Sequence, residues 1–433
     1  MQPNKTSQEY LDSFVNYEKT GFTGLKNNFD LGKLTEVLVF LGDPQKTYMS
    51  VHVAGTKGKG SVCAFTSSIL REAGFKVGLF TSPHLSFERE RIQINGEEIS
   101  EEDLADALNI LKENLPGDAQ KTFSFFEVYT LLAILYFHMK NVDFAIFEVG
   151  LGGRLDATNV IDSEVSAITP VSFDHMHVLG STLAGIAAEK AAIIKKGSVC
   201  VSSPQREEAL EVIKEKCARV GASLMLVGED IAYKVAGLTE EGSWFDAEGL
   251  KEKYSGCRTG LAGKFQVPNA CTAIGICENL LHGEDIAIPI KKGIEKAFIP
   301  GRLEIIAKNP SIVIDGAQNA ESARELKYSV EEIFKYDKLI LLIGLSEDKD
   351  IKGFCGHLAP IADEVILTRS ASKRAQSPEI IRGFVKGKPA RITETAKEAL
   401  GLALQASGKN DLVLAAGSFY LIGEVRDLVL NRK

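Results

Sequence analysis

The chain has 433 residues, 45% hydrophobic and 25% charged, a composition that suits two or three packed domains rather than one. A formal net charge of −8 argues against a general nucleic-acid or anionic-membrane binder, so any anionic ligand must meet a local cluster of donors. The seven cysteines are scattered and form no C-x-x-C pair, which argues against a zinc site or a disulfide frame and for reduced thiols in a cytoplasmic protein.

The opening "MQPNKTSQEYLDSF" lacks the basic-then-apolar pattern of a signal peptide. Residues 48–54 ("YMSVHVA") read as a strand and 61–73 ("SVCAFTSSILREA") as a helix ended by Gly74, with a glycine loop between them. Further buried strands are predicted at 75–80, 142–150, 164–169 and 197–203, and helices at 101–115, 125–139, 183–194 and 206–220. The most apolar run, "FFEVYTLLAILYF" at 125–137, is short for a membrane span and carries Glu127, so it reads as a core helix. The texture changes at 230–262, where glycines, short β-type runs and Trp244 suggest a small antiparallel insertion. A second series of strands is predicted at 311–315, 338–343, 364–368, 390–393 and 411–415, each followed by a helix. Alternating strands and helices predict an α/β fold with mainly parallel sheets covered on both faces. The boundary is placed at Pro300-Gly301 and just before it, giving a P-loop NTPase-like domain over 1–297 and a smaller Rossmann-like domain over 298–433.

The loop "GTKGKGS" (55–61) resembles a phosphate-binding loop with altered spacing: Val53 stands where the usual pattern has glycine, and Gly60 separates Lys59 from Ser61. Between a strand and a helix, the amides of Gly58, Lys59, Gly60 and Ser61 can face an anion at the helix N-terminus. Open α/β sheets bind ligands beyond the carboxyl ends of their strands. There the sequence offers Ser82 and His84, then Glu148, Arg154, Asp156 and Asn159, then Asp174, His175, His177, Glu189 and Lys190. Each alone reads as a turn, a cap or a surface ion pair; three such clusters beside a phosphate loop point to a nucleotide site.

These strings, "EVGLGGRLDATN" (148–159) above all, closely resemble the folylpolyglutamate synthase/dihydrofolate synthase family, relatives of the Mur ligases. The resemblance runs from "NNFDLGK" (27–33) to "AAGSFYLIGEV" (415–425), and the family's loop has this same spacing. It implies an ATP-dependent ligase joining L-glutamate to dihydropteroate, or to tetrahydrofolate and its polyglutamates, through an acyl phosphate. It further implies that Gly58, Lys59, Gly60 and Ser61 hold the ATP phosphates and that Ser82, Glu148 and His175 bind one or two Mg2+ ions. Lys190 matches a lysine carried as a carbamate, and Asn269, Arg302 and Asp315 match nucleotide contacts. Phe29, Asp30, Leu31, Ser124, Phe125, Phe126, Glu127 and Leu155 match positions lining the pteroate pocket. Lys59, Lys190 and His175 are therefore the expected catalytic groups.

Two departures stand out. Lys57 replaces the family's usual asparagine and reads as a solvated lysine at the loop's crest at least as readily as an extra phosphate contact. Gln318, in "DGAQN", replaces its usual histidine and cannot carry an imidazolium charge. Ala192, where glycine is common, reads as neutral. The rival readings are polyglutamate extension alone, a Mur ligase acting on a nucleotide-linked peptide, and a nucleotide-regulated switch. Only 54 residues precede Gly55, few for an extra substrate domain, and no N-K-x-D base-reading motif is present. No nucleic-acid or membrane partner is expected, and a monomer is.

Overall fold

A computed structural model describes residues 4–20, 30–283 and 285–430. Among them the strands form three sheets. The first contains β1 (Met49–Ala54), β2 (Val77–Phe80), β3 (Ile92–Ile94), β4 (Glu97–Glu98), β5 (Phe144–Glu148), β6 (Val165–Ile168), β7 (Val199–Ser202) and β8 (Ser223–Leu226), in the order β4-β3-β2-β5-β1-β6-β7-β8. Only the β2-β3 and β3-β4 pairs are antiparallel. β1 lies between β5 and β6, parallel to both, and is buried on both faces. That burial on both faces explains why its sequence is a nearly continuous apolar run.

The insertion is a sheet of β9 (Ala232–Thr239), β10 (Gly242–Glu248) and β11 (Lys253–Arg258), all antiparallel. The last sheet holds β12 (Glu304–Ala307), β13 (Ser311–Asp315), β14 (Leu339–Ile343), β15 (Glu364–Leu367), β16 (Ala390–Ile392) and β17 (Leu412–Ala416), in the order β12-β13-β17-β14-β15-β16. β12 alone runs antiparallel, as an edge strand.

Helices cover the first sheet on both faces. On one face lies α1 (Lys59–Glu72), which follows the glycine loop; on the other lies α2 (Phe125–Met139). α2 is buried almost all round, which accounts for its continuous apolar sequence, and no described helix is long and apolar enough to cross a membrane. It starts with a capping box: the Ser124 hydroxyl accepts from Glu127 N–H, and Glu127 accepts from Ser124 N–H at 2.7 Å. The next helices toward the site are α3 (Leu183–Ala191) and α4 (Gln266–Leu280), the latter packed on α1. All seven cysteines are buried and unpaired.

Helix Ala287–Lys296 crosses α1 at Gly293, where an added Cβ would lie 2.4 Å from the Cα of Ile69. Backbone cannot yield as a side-chain tip can. Gly293→Ala is expected to cost about 1–3 kcal/mol, as overpacking does, measured as a lower midpoint of urea unfolding.

Candidate active site

The carboxyl ends of β1, β2, β5 and β6 open onto a cavity of about 850 Å³, whose other wall comes from the loops after β13, β14, β15 and β17. Gly58, Lys59, Gly60, Ser61, Ser82, Glu148, His175, Asn269, Arg302 and Asp315 all line it, so residues from both α/β units share one space.

The loop owes its shape to close approaches. At Gly58 the backbone is left-handed (φ 83°), and a Cβ would meet Asn269 Oδ1, on α4, at 2.5 Å. At Gly55 a Cβ would fall 1.8 Å from Thr169 Oγ1, beyond the end of β6. The additional Gly60 lies between the two units: a Cβ there would meet Ile299 Cδ1 at 2.9 Å and Glu148 Oε2 at 3.5 Å. The altered spacing thus keeps side-chain atoms out of the gap between the loop and Glu148.

Glu148 ends β5, in register with Val53 of β1. Burial raises its pKa, opposed by Lys59, whose Nζ lies 4.0 Å from Oε1, and by the Ser82 N–H, which donates to Oε2 at 3.2 Å. A buried carboxylate with one distant cation is suited to receiving another positive charge. Lys59 Nζ also donates to Gly55 O at 3.4 Å, and Lys190 Nζ donates to the same oxygen at 2.9 Å. Burial first, and the Lys59 charge second, push the Lys190 pKa down to about 7. Lys190 stands behind the loop rather than in the cavity lining.

His175 sits at the N-cap of a one-turn helix in left-handed conformation (φ 46°). Burial lowers its pKa, with Asp174 opposing. Among the described residues no three His, Cys, Asp or Glu side chains are gathered closely enough to hold a metal alone. Ser82, Glu148 and His175 offer only part of a coordination shell. That fits Mg2+, which keeps waters and takes phosphate oxygens, although imidazole is a soft ligand for it.

The loop after β5 is locked from beneath. Asp156 accepts from Leu151 N–H (2.8 Å) and Thr158 N–H (3.0 Å), and the Thr158 hydroxyl contacts His52 Nε2 of β1 at 2.7 Å. A Cβ on Gly153 would lie 2.6 Å from Glu189 O, so this loop rests directly on α3 beside Lys190. Leu155 is thereby presented to the cavity.

In the second unit Asp315 ends β13. Its oxygens accept from Leu303 N–H (2.9 Å) and Ala317 N–H (2.8 Å), and Arg302 lies 4.7 Å over the Phe419 ring. Burial raises the Asp315 pKa, with Arg302 opposing.

The residues matched to a pteroate pocket divide. Ser124, Phe126, Glu127 and Leu155 line the cavity. Phe125 is in the core, with Arg91 5.4 Å over its ring. Asp30 caps the helix Leu31–Phe40 by accepting from Gly32 N–H at 2.8 Å; Leu31 packs at the edge of the core, and neither lines the cavity. Phe29 lies outside the described residues. Glu127 is committed to its cap and to Lys33 at 2.9 Å. Lys57 is not a solvated lysine: its Nζ is 2.6 Å from Glu321 Oε2. The sequence reading missed Ser346, Asp348, Lys349 and Arg374, which line the cavity after β14 and β15. The rule that ligands gather beyond strand ends, applied to the first sheet only, would have found them in the second.

The Mur ligase middle domain family matches residues 53–277, and the Mur ligase, glutamate ligase domain family matches residues 301–419. A dihydrofolate synthase/folylpolyglutamate synthase of Bacillus subtilis is 33% identical over 405 residues, covering 92% of this chain and 94% of its own. A folylpolyglutamate synthase of Lacticaseibacillus casei is 31% identical and covers 98% of both chains. The structure of a Mycobacterium tuberculosis folylpolyglutamate synthase complexed with ADP and AMPPCP superposes with a TM-score of 0.90 at 29% identity, covering 99% of this chain and 98% of that one. An Escherichia coli FolC in complex with DHPP and ADP gives a TM-score of 0.87 at 27% identity, covering 98% of both.

Replacing Gly58 tests the loop geometry. Gly58→Ala adds about 1–2 kcal/mol of left-handed strain and pushes on Asn269. The loop is expected to relieve this by turning its N–H groups away, lowering ADP affinity roughly tenfold by calorimetric titration, with the circular dichroism of the fold unchanged.

Proposed function

The chain belongs to the folylpolyglutamate synthase/dihydrofolate synthase family of Mur-type ligases, and from that premise we propose how its residues carry the reaction. It is an ATP-dependent ligase that joins L-glutamate by an amide bond to a pteroate or folate carboxylate. The observation that supports the assignment of roles is the convergence of Lys59, Glu148, Arg302 and Asp315 on one cavity. The substrate carboxylate attacks the γ-phosphorus of ATP, the bond to the β,γ-bridging oxygen breaks, and ADP leaves an acyl phosphate. The amine of L-glutamate then attacks the acyl carbon, the amide forms and phosphate departs. Lys59 and the loop amides offset the charge on the transferring phosphoryl group. Asn269 stands against the loop, and Arg302 and Asp315 hold the nucleotide from the second unit. Bringing the two units together excludes water from the acyl phosphate. Ser82, Glu148 and His175 would hold Mg2+, which supplies charge neutralisation at the phosphates. Leu155, Phe126 and Ser124 border the space for the pterin. No residue is assigned as the base that takes the proton from glutamate's ammonium.

Two acceptors are proposed, dihydropteroate and reduced folates. Their reacting carboxylates, one on the p-aminobenzoyl ring and the other on a glutamate side chain, must reach the same γ-phosphate from two pterin poses. Steady-state ADP release with MgATP, L-glutamate and either 7,8-dihydropteroate or tetrahydrofolate tests this. Turnover with both is expected; turnover with tetrahydrofolate alone would reduce the activity to polyglutamate extension, and turnover with neither would overturn the assignment. Lys59→Ala is expected to lower kcat by at least a hundredfold on either acceptor, on the order of one lost transition-state contact.

A carbamate on Lys190 is the remaining element of the reading. Carbon dioxide adds to a neutral amine, releasing a proton, and the buried Lys190 is half neutral near pH 7 because its pKa is lowered to about 7. The adduct would turn a buried cation behind the phosphate loop into an anion, with oxygen atoms of the kind Mg2+ takes. The amine form grows as pH rises through 7, so enzyme depleted of carbon dioxide should be low in activity throughout and should regain it on adding bicarbonate more fully above pH 7 than below it. Lys190→Ala should lose activity and regain part of it with small carboxylate anions; equal activity with and without bicarbonate, at any pH, would count against the carbamate.

A further inference from the structure

The pairing of Lys57 with Glu321 joins the crest of the phosphate loop to the second unit. Glu321 lies in the first turn of α5 (Ala320–Ile333), the helix that follows Asp315 and Gln318. Its carboxylate is favoured there by the helix N-terminus as well as by Lys57. Burial works the other way, yet the Lys57 contact draws the Glu321 carboxyl below its ordinary range.

Both ends of the pair are fixed to their own units. On the loop side, Thr56 N–H donates to Pro170 O at 3.0 Å, and the Thr56 hydroxyl donates to Ser172 O at 3.1 Å. On the helix side, Asn319 Oδ1 accepts from Ser322 N–H at 2.9 Å in a capping box. A contact between two anchored ends transmits position. A contact between two loose side chains would not.

The geometry points to Lys57 and Glu321 as a positioning pair that sets the second unit over the phosphate loop, and so tunes nucleotide affinity by favouring the closed arrangement. The side chains retain 27% and 36% exposure, although the Lys57 ammonium is itself buried and burial lowers its pKa with Glu321 opposing, so the net strength stays that of a modest ion pair. A ligand that needs the closed form binds more weakly in proportion to the closed fraction lost. The expected effect is therefore about a twofold to fivefold rise in KM for ATP and in the ADP dissociation constant, with kcat at saturation held.

This inference rests on the reading that nucleotide is held from both units, and the experiment separates the two. Lys57→Met and Glu321→Gln should each raise the KM for ATP by that factor. The double variant should be no worse than either single one, and the exchange Lys57→Glu with Glu321→Lys should restore most of the loss. A defect in Lys57→Met without one in Glu321→Gln would mean that Lys57 acts on the nucleotide itself, and would overturn the pair. Multiplying effects in the double variant, or wild-type KM in all of them, would overturn it too. Arg302→Met is the control. If it leaves ADP affinity unchanged, the two-sided nucleotide reading fails and the inference falls with it; if it weakens ADP while the pair variants do not, only the inference fails.

Discussion

Two amino groups, Lys59 and Lys190, converge on the carbonyl oxygen of Gly55, and a buried carboxylate, Glu148, stands 4.0 Å from Lys59. Like charges brought together in a partly desolvated space repel, and burial adds to the cost of keeping both protonated. Burial first, with the Lys59 charge added, lowers the Lys190 pKa to about 7. The loop starts from β1, which is buried between β5 and β6, and its glycines pack against Thr169 and Asn269 where a side chain would not fit. An arriving polyphosphate would offset the charge that these amines place beside the loop.

The second unit completes rather than creates this field. Asp315 ends β13 and Arg302 precedes β12, while Ser86 Oγ donates to Asp427 at 2.8 Å and Arg374 donates to the Glu18 carbonyl at 2.8 Å. Gly423 packs on Leu85 so closely that a Cβ would lie 2.3 Å from its carbonyl oxygen. Contacts between the units are thus of both kinds: polar pairs beside the cavity, and apolar packing in which Ala262 and Phe265 join the second core and Leu85 meets Ile422.

Much of the architecture was legible because fully buried parallel strands leave unmistakable apolar runs, and because glycine loops mark their carboxyl ends. What escaped was short or local. β3 and β4 have three residues and two, too few to show a period, although the Asn95-Gly96 turn between them, both at positive φ, is a strong hairpin signal. β12 looks like the tail of a boundary because an antiparallel edge strand needs no helix before it. In the site, sequence spacing identified the charged groups but not their partners. Phe125 and Phe126 are adjacent, yet helical geometry sends one into the core and the other to the cavity. Lys57 looked solvated because its counter-ion is more than 250 residues away in sequence.

The burial of every native thiol has a practical bearing on how this enzyme can be observed. Thiol reagents act on accessible thiolates, so cysteines enclosed in the two cores are slow to react while the fold holds. One cysteine placed on the surface of each unit would then carry spectroscopic labels against a quiet background, and opening and reclosing could be followed directly as a changing separation. The chain comes, in effect, already prepared for such a ruler.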